Sequence, residues 1–122
     1  HKNSLHNQVK LLGYKKNPFQ YIKQSDIFLL SSKYEGSPNV LVEALILKKY
    51  VISTNCPTGP KEILKNGKYG KIYKVGDYKT LSKLLLNSKN ELKKTINNEK
   101  YLNIYKKEIN CENYYKYIKK FI

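Results

Sequence analysis

The run Ile27-Phe28-Leu29-Leu30 lies between the polar pairs Ser25-Asp26 and Ser31-Ser32. Strand side chains alternate between faces, so four successive apolar residues must bury both faces of a strand. This predicts a strand in the middle of a parallel sheet. Parallel neighbours need long crossover connections, usually helices, and the flanking sequence supplies them. Asn17-Pro18 opens a short helix over residues 19–24, with Pro suited to the first turn. Ser37 is a good N-cap for a second helix from Pro38 to about Lys48. A third covers residues 61–65 and closes at Asn66-Gly67. A fourth spans residues 80–87, with Leu81, Leu84 and Leu85 on one face. Strands are expected at residues 9–13, 27–31, 50–54 and 70–75. The alternation of strand and helix predicts an α/β fold, a Rossmann-like parallel sheet flanked by helices over residues 1–90. Residues 91–122 carry no strand signal. Tyr101, Leu102, Ile104, Tyr105 and Ile109 recur at helical spacing, as do Tyr114, Tyr115, Ile118 and Ile122. They predict a helical C-terminal tail.

The 122 residues fit one domain. No apolar run is long enough to cross a bilayer, and no signal-peptide pattern opens the chain. His1-Lys2-Asn3-Ser4 reads as a cut point, so a piece of a longer protein is expected. The net charge of +15 raises the question of nucleic acid. All 24 basic residues are Lys, however, and they are spread along the chain. Readers of nucleic acid lean on the bidentate fork of Arg. The Lys, Asn, Ile and Tyr bias is first a mark of AT-rich coding. Attraction to an anionic membrane surface or a phosphorylated ligand is the second reading, and no nucleic-acid partner is expected. Cys56 and Cys111 are too few for a disulfide framework or a zinc site and read as free thiols of a reducing cytosol. His1 and His6 have no partner at metal-ligand spacing. No metal site is expected.

The chemistry lies in Tyr34-Glu35-Gly36-Ser37-Pro38-Asn39-Val40-Leu41-Val42-Glu43-Ala44-Leu45. The helix is apolar on every face and so should be buried, with Glu43 in its middle. A lone buried carboxylate is costly without a partner cation or a ligand. Side chains on a helix lean toward its N-terminus, which aims Glu43 at the loop holding Glu35. That loop follows a parallel strand, so it sits at the carboxyl edge of the sheet, where open α/β folds bind ligands. The N–H groups of Asn39, Val40 and Leu41 at the helix start favour phosphate. Gly36 allows close approach of a ligand. A diphosphate between two hydroxyl-rich sugars fits such a site. The residues alone also allow a plainer reading, in which Glu35 meets the helix dipole and Glu43 pairs with a core Lys or Tyr. Lys61 reads as a solvated residue at a helix start, with donor contact as the other reading. Glu62 reads as a residue that caps or pairs locally.

Two glutamates with seven residues between them, the first followed by Gly36 and the second by Ala44, resemble the corresponding motif of retaining glycosyltransferases of the GT-B fold, especially family 4 (group 1). Val9-Lys10-Leu11-Leu12-Gly13-Tyr14, Ser25-Asp26-Ile27-Phe28-Leu29-Leu30, Val51-Ile52-Ser53-Thr54, Gly59-Pro60-Lys61-Glu62-Ile63-Leu64 and Asn66-Gly67-Lys68-Tyr69-Gly70 resemble the family's neighbouring segments in order. The resemblance covers residues 5–87. It implies the C-terminal, donor-binding half of a GT-B fold. It also implies retaining transfer of a hexose or N-acetylhexosamine from a nucleotide diphosphate to a glycan or lipid-linked acceptor. UDP is favoured on family frequency. Glu43 would hold the ribose and Glu35, as the catalytic residue, the transferred sugar near its reacting carbon. Backbone groups of Ser37, Pro38, Asn39, Val40 and Leu41 would hold the diphosphate and sugar, and Gly13 and Tyr14 would line the base.

Such enzymes generally use no bound metal, and the chain has no Asp-x-Asp triplet. No cofactor is expected. The family's upstream cationic pair, the first βα unit and the acceptor-binding N-terminal domain are expected outside this chain, leaving it inactive alone. The expected partners are the nucleotide sugar and that domain. The tail is expected to cross back to that domain, with a membrane-surface helix as the second reading and a plain solvated helix as the third. The expected compartment is the cytoplasm, with peripheral contact at the inner face of the plasma membrane as a further reading. Products are expected among bacterial surface polysaccharides or lipid-linked glycans. The competing classes are a nucleotide-sugar epimerase of the same architecture and a basic, non-enzymatic module for anionic lipid or nucleic acid.

Overall fold

The computed structural model describes residues 8–92, 99–106 and 116. In chain order its elements are α1 (Phe19–Gln24), β1 (Ile27–Leu30), α2 (Asn39–Ile46), β2 (Tyr50–Thr54), α3 (Pro60–Ile63), β3 (Lys71–Tyr73), α4 (Tyr78–Glu91), α5 (Glu99–Leu102) and a 3-10 turn (Asn103–Tyr105). Strand β2 is central and buried at every position. Strands β1 and β3 flank it, both parallel to it, with Phe28 opposite Val51 and Ser53 opposite Ile72. This is the Rossmann-like α/β arrangement expected from the sequence.

The period of two along β2 sorts the core into two faces. Val51 points into a cluster with Ile22, Leu41, Val42, Ala44, Leu45, Ile63, Leu64 and Tyr101, against which Phe28 and Leu30 pack. Tyr50 and Ile52 point the other way with Tyr73, and Leu81 and Leu84 of α4 cover them together with Ile27. Helices therefore cover both faces, as a parallel sheet requires. Gly70 lets β3 come in close, since a Cβ there would lie 2.8 Å from the Val51 carbonyl oxygen.

Four expectations are corrected. Among the described residues β1 is an edge strand and not a middle one: only β2 pairs with it, and Leu29 is 39% exposed. An all-apolar run predicts two buried faces, but it cannot report which strands lie beside it or what covers each face. Residues 9–13 form no strand, and Leu11 is 96% exposed. A strand is stabilised by a ladder and a packed face, and that segment has neither here. Helix α4 begins at Tyr78, earlier than expected, because Asp77 caps it: Oδ1 accepts the Thr80 N–H at 3.0 Å and Oδ2 the Thr80 hydroxyl at 2.6 Å. Leu85 is exposed, so the inward face of α4 is narrower than the pattern implied.

Of the tail, Tyr101 docks on the body. Its ring stacks on Tyr69 at 4.5 Å and its hydroxyl donates to the Ile63 carbonyl at 2.7 Å. Burial, and then the bond to Tyr105, hold its phenol well above the ordinary value. Ile109, Tyr114, Tyr115, Ile118 and Ile122 lie outside the described residues.

Two outcomes follow. Ile52→Ala, at a fully buried position, lowers the unfolding free energy by about 2–5 kcal/mol in urea titration. The Thr80 hydroxyl, and then its N–H, lower the Asp77 carboxyl below the usual value. A depressed folded pKa gives stability that is complete above the unfolded value, near pH 4, and is lost as pH falls through the folded one. The Tm gap between the native chain and Asp77→Ala should therefore be full at pH 7 and shrink below about pH 4. A gap constant down to pH 2 would refute the cap's electrostatic part.

Candidate functional site

Because β1 and β2 are parallel, the loops that follow them leave the same, carboxyl edge of the sheet. This is the edge at which the sequence places the Glu35–Glu43 segment. The first loop covers residues 31–38 and the second residues 55–59. Three contacts join the first loop to the end of β2 and to the second loop. The Thr54 hydroxyl donates to the Ser32 carbonyl at 2.6 Å. The Thr58 hydroxyl donates to the Glu35 carbonyl. Gly59, at φ +94°, packs so tightly that a Cβ would lie 2.3 Å from Pro38 Cδ and 3.0 Å from the Gly36 carbonyl oxygen.

At the start of α2 the expected cap is replaced. Pro38, not Ser37, occupies the N-cap position, and no side chain caps the helix. With φ −73° and ψ 82°, Pro38 sits at the centre of an inverse γ-turn, in which the Asn39 N–H donates to the Ser37 carbonyl at 2.8 Å. The Leu41 N–H donates to the Pro38 carbonyl at 2.9 Å. Of the three N–H groups expected to face phosphate, two are therefore bonded locally, and Val40 N–H has no partner among the described residues.

The side chains also differ from expectation. Helix α2 buries Leu41, Val42, Ala44 and Leu45, but Ile46 is 55% exposed and Glu43 is half-buried. Glu43 thus lies at the border of the core, and its carboxylate oxygens reach solvent, since no buried side-chain oxygen lacks a partner among the described residues. No ion pair or hydrogen bond engages that carboxylate or that of Glu35 among the described residues. The partner that full burial would demand is not required by partial burial. Glu35 is half-buried at the loop. Gly36 and Ser37 are exposed, and nothing lies within 4 Å of where a Gly36 Cβ would stand. The backbone there is open to a neighbour, as close ligand approach requires. Asn39 is exposed, Pro38 and Leu41 are buried and Val40 is half-buried. Gly13, at φ +61°, and Tyr14, 93% exposed, make no hydrogen bond or ring contact with this segment.

Beside the second loop is an open cleft of about 320 Å³ lined by Pro57, Gly59, Lys61, Glu62, Lys65 and Asn66. Glu62 caps locally, as expected, accepting the Gly59 N–H at 3.3 Å. Cys56 is buried, with its thiol directed at the Thr58 carbonyl at 4.0 Å. The sequence reading missed Thr54, Thr58 and Gly59 as parts of this site. The density of loop formers at residues 55–60 was visible, but contacts spanning more than twenty residues were not.

The sequence also matches the family described as glycosyl transferases, group 1, over residues 1–117. This chain belongs to the group 1 glycosyltransferases. Family membership agrees with the parallel sheet. Among curated relatives, an uncharacterised glycosyltransferase of Methanocaldococcus jannaschii is 56% identical over 61 residues, covering 50% of this chain and 15% of the relative. An N-acetylgalactosamine-N,N'-diacetylbacillosaminyl-diphospho-undecaprenol 4-alpha-N-acetylgalactosaminyltransferase of Campylobacter jejuni is 32% identical over 72 residues, covering 59% of the chain and 20% of the relative. A GalNAc-alpha-(1->4)-GalNAc-alpha-(1->3)-diNAcBac-PP-undecaprenol alpha-1,4-N-acetyl-D-galactosaminyltransferase of that organism is 32% identical over 100 residues, covering 80% of the chain and 28% of the relative. The chain thus matches less than a third of the length of these relatives. Among the described residues no helix is long and apolar enough to cross a membrane.

The Gly59 packing yields a direct expectation. Gly59→Ala must displace Pro38 and hold a side chain at positive φ, so it destabilises the fold by about 1–3 kcal/mol in denaturant titration. An unchanged midpoint would mean that the two loops are not packed as described.

Proposed function

We propose that this chain is the donor-binding part of a longer retaining glycosyltransferase that transfers a hexose or N-acetylhexosamine from a nucleotide diphosphate, UDP in the first instance, to a glycan or lipid-linked acceptor. The observation that carries the reading is the Glu35–Glu43 segment at the carboxyl edge of a parallel sheet in a chain of this family. Glu43, half-buried with its oxygens reaching solvent, is suited to accept the ribose hydroxyls. Glu35 stands one residue before the open backbone of Gly36 and is assigned to the transferred sugar. The Val40 N–H and the positive end of α2 face the diphosphate, whose growing charge they stabilise as the sugar leaves. Ser37, Pro38, Asn39 and Leu41 shape that turn, and Gly13 and Tyr14 are assigned to the base.

Among the described residues the outer edge of β1 is unpaired, which supports the larger protein in this reading. An apolar edge strand is suited to receive a further parallel strand. Such a strand would come from the expected upstream βα unit, and the acceptor domain would lie beyond it. The short match to the relatives agrees with this. The charge of +15 and relatives named for undecaprenol-linked substrates support action at the cytoplasmic face of a membrane. The reading needs no resident metal, since the sequence lacks an Asp-x-Asp triplet.

Titration of UDP and of GDP into the labelled chain tests the reading. Amide shifts are expected at Gly13, Gly36, Ser37, Asn39, Val40 and Leu41, equal in EDTA and in magnesium. Shifts confined to the Lys-rich tail would sink it. In the full-length protein, Glu43→Ala should raise the donor KM about tenfold or more, because a hydrogen bond to a charged group contributes about 1.5–3 kcal/mol. A KM within twofold of the native value would remove Glu43 from the ribose.

A further inference from the structure

We infer that Thr58, with Thr54 and Gly59, is a positioning residue that holds the Glu35 loop from the neighbouring β2–α3 loop. The contacts recur at every third residue of the first loop. Ser32 accepts from Thr54, Glu35 accepts from Thr58, and Pro38 packs on Gly59. The first loop has little else to order it. Gly36 and Ser37 are exposed, and α2 has no side-chain cap. The second loop is anchored at both ends. Thr54 is buried at 2% exposure at the end of the central strand. Pro60 and Ile63 of α3 are buried, and Glu62 ties back to the Gly59 N–H.

The fully buried central strand thus leads into the loop whose exposed Thr58 hydroxyl holds the backbone of Glu35. Catalytic groups need placement to within a fraction of an ångström, and a loop made of Glu, Gly, Ser and Pro does not supply that alone. Thr58 acts through the Glu35 main chain and does not itself touch substrate. The role for catalysis rests on the assignment of Glu35 given above, whereas the anchoring itself does not.

Thr58→Val keeps the shape and removes the donor, and Thr58→Ser keeps the donor. In the chain as it stands, Thr58→Val should lower the backbone 15N order parameters at Glu35 and Gly36 from the rigid range toward the flexible one, below about 0.6, while leaving β2 and α4 as in the native chain, and Thr58→Ser should restore them. Thr54→Val should act in the same direction at Ser32 and Lys33. Native order parameters at Glu35 and Gly36 in Thr58→Val overturn the anchoring. In the full-length transferase, Thr58→Val should lower kcat about tenfold with the donor KM within twofold, because the ribose contact sits on α2 and not on the loop. Native kcat in Thr58→Val overturns the catalytic part. Lower order parameters in Thr58→Val together with a native chain that ignores UDP and GDP support the anchoring and refute the donor assignment alone.

Discussion

The buried parallel ladder of β2 is the constraint on which the structure depends. All five of its residues are buried, and it alone pairs with a strand on each side among the described residues. Its alternation separates the α2–α3 face from the α4 face, so Val51 and Ile52 organise two different cores one residue apart. Because its neighbours are parallel, the loops after β1 and β2 must emerge on one edge. The candidate site is a consequence of that direction.

The same ladder explains the division of labour within the site. Helix α2 fixes Glu43 through four buried residues, and Glu43 itself stays at the border of the core, where its carboxylate remains wet. Glu35 sits on a loop with no core contact of comparable strength, and side-chain hydroxyls and one glycine from the next loop supply the order. The two glutamates of one motif are therefore placed by different means. One is placed by hydrophobic packing and the other by polar contacts to backbone.

Local chemistry was read most reliably where one interaction decides the outcome. Asn17-Pro18 did start a helix, and its bounds, Phe19–Gln24, match the expectation, because Ser25 ends it with bonds back to the last turn. Glu62 did cap locally. The sequence failed where a second segment had to take part. Residues 9–13 carry a strand-like pattern without a strand's partner, and β1 carries a central strand's composition at an edge. Ser37 has the right chemistry for a cap, yet Pro38 bends the chain into a γ-turn that takes the Ser37 carbonyl instead.

By itself the sequence determined the fold class, the helix and strand order over residues 19–87, the family, and the segment that bears the two glutamates. Periodicity, breakers and motif spacing are local, and local features suffice for these. Only the tertiary structure decided which strand is central, how far Glu43 is buried, and that Thr54, Thr58 and Gly59 lie against the Glu35 loop. Those depend on contacts between residues more than twenty positions apart, whose pairing is set by the packing of the whole sheet and not by any stretch of chain alone.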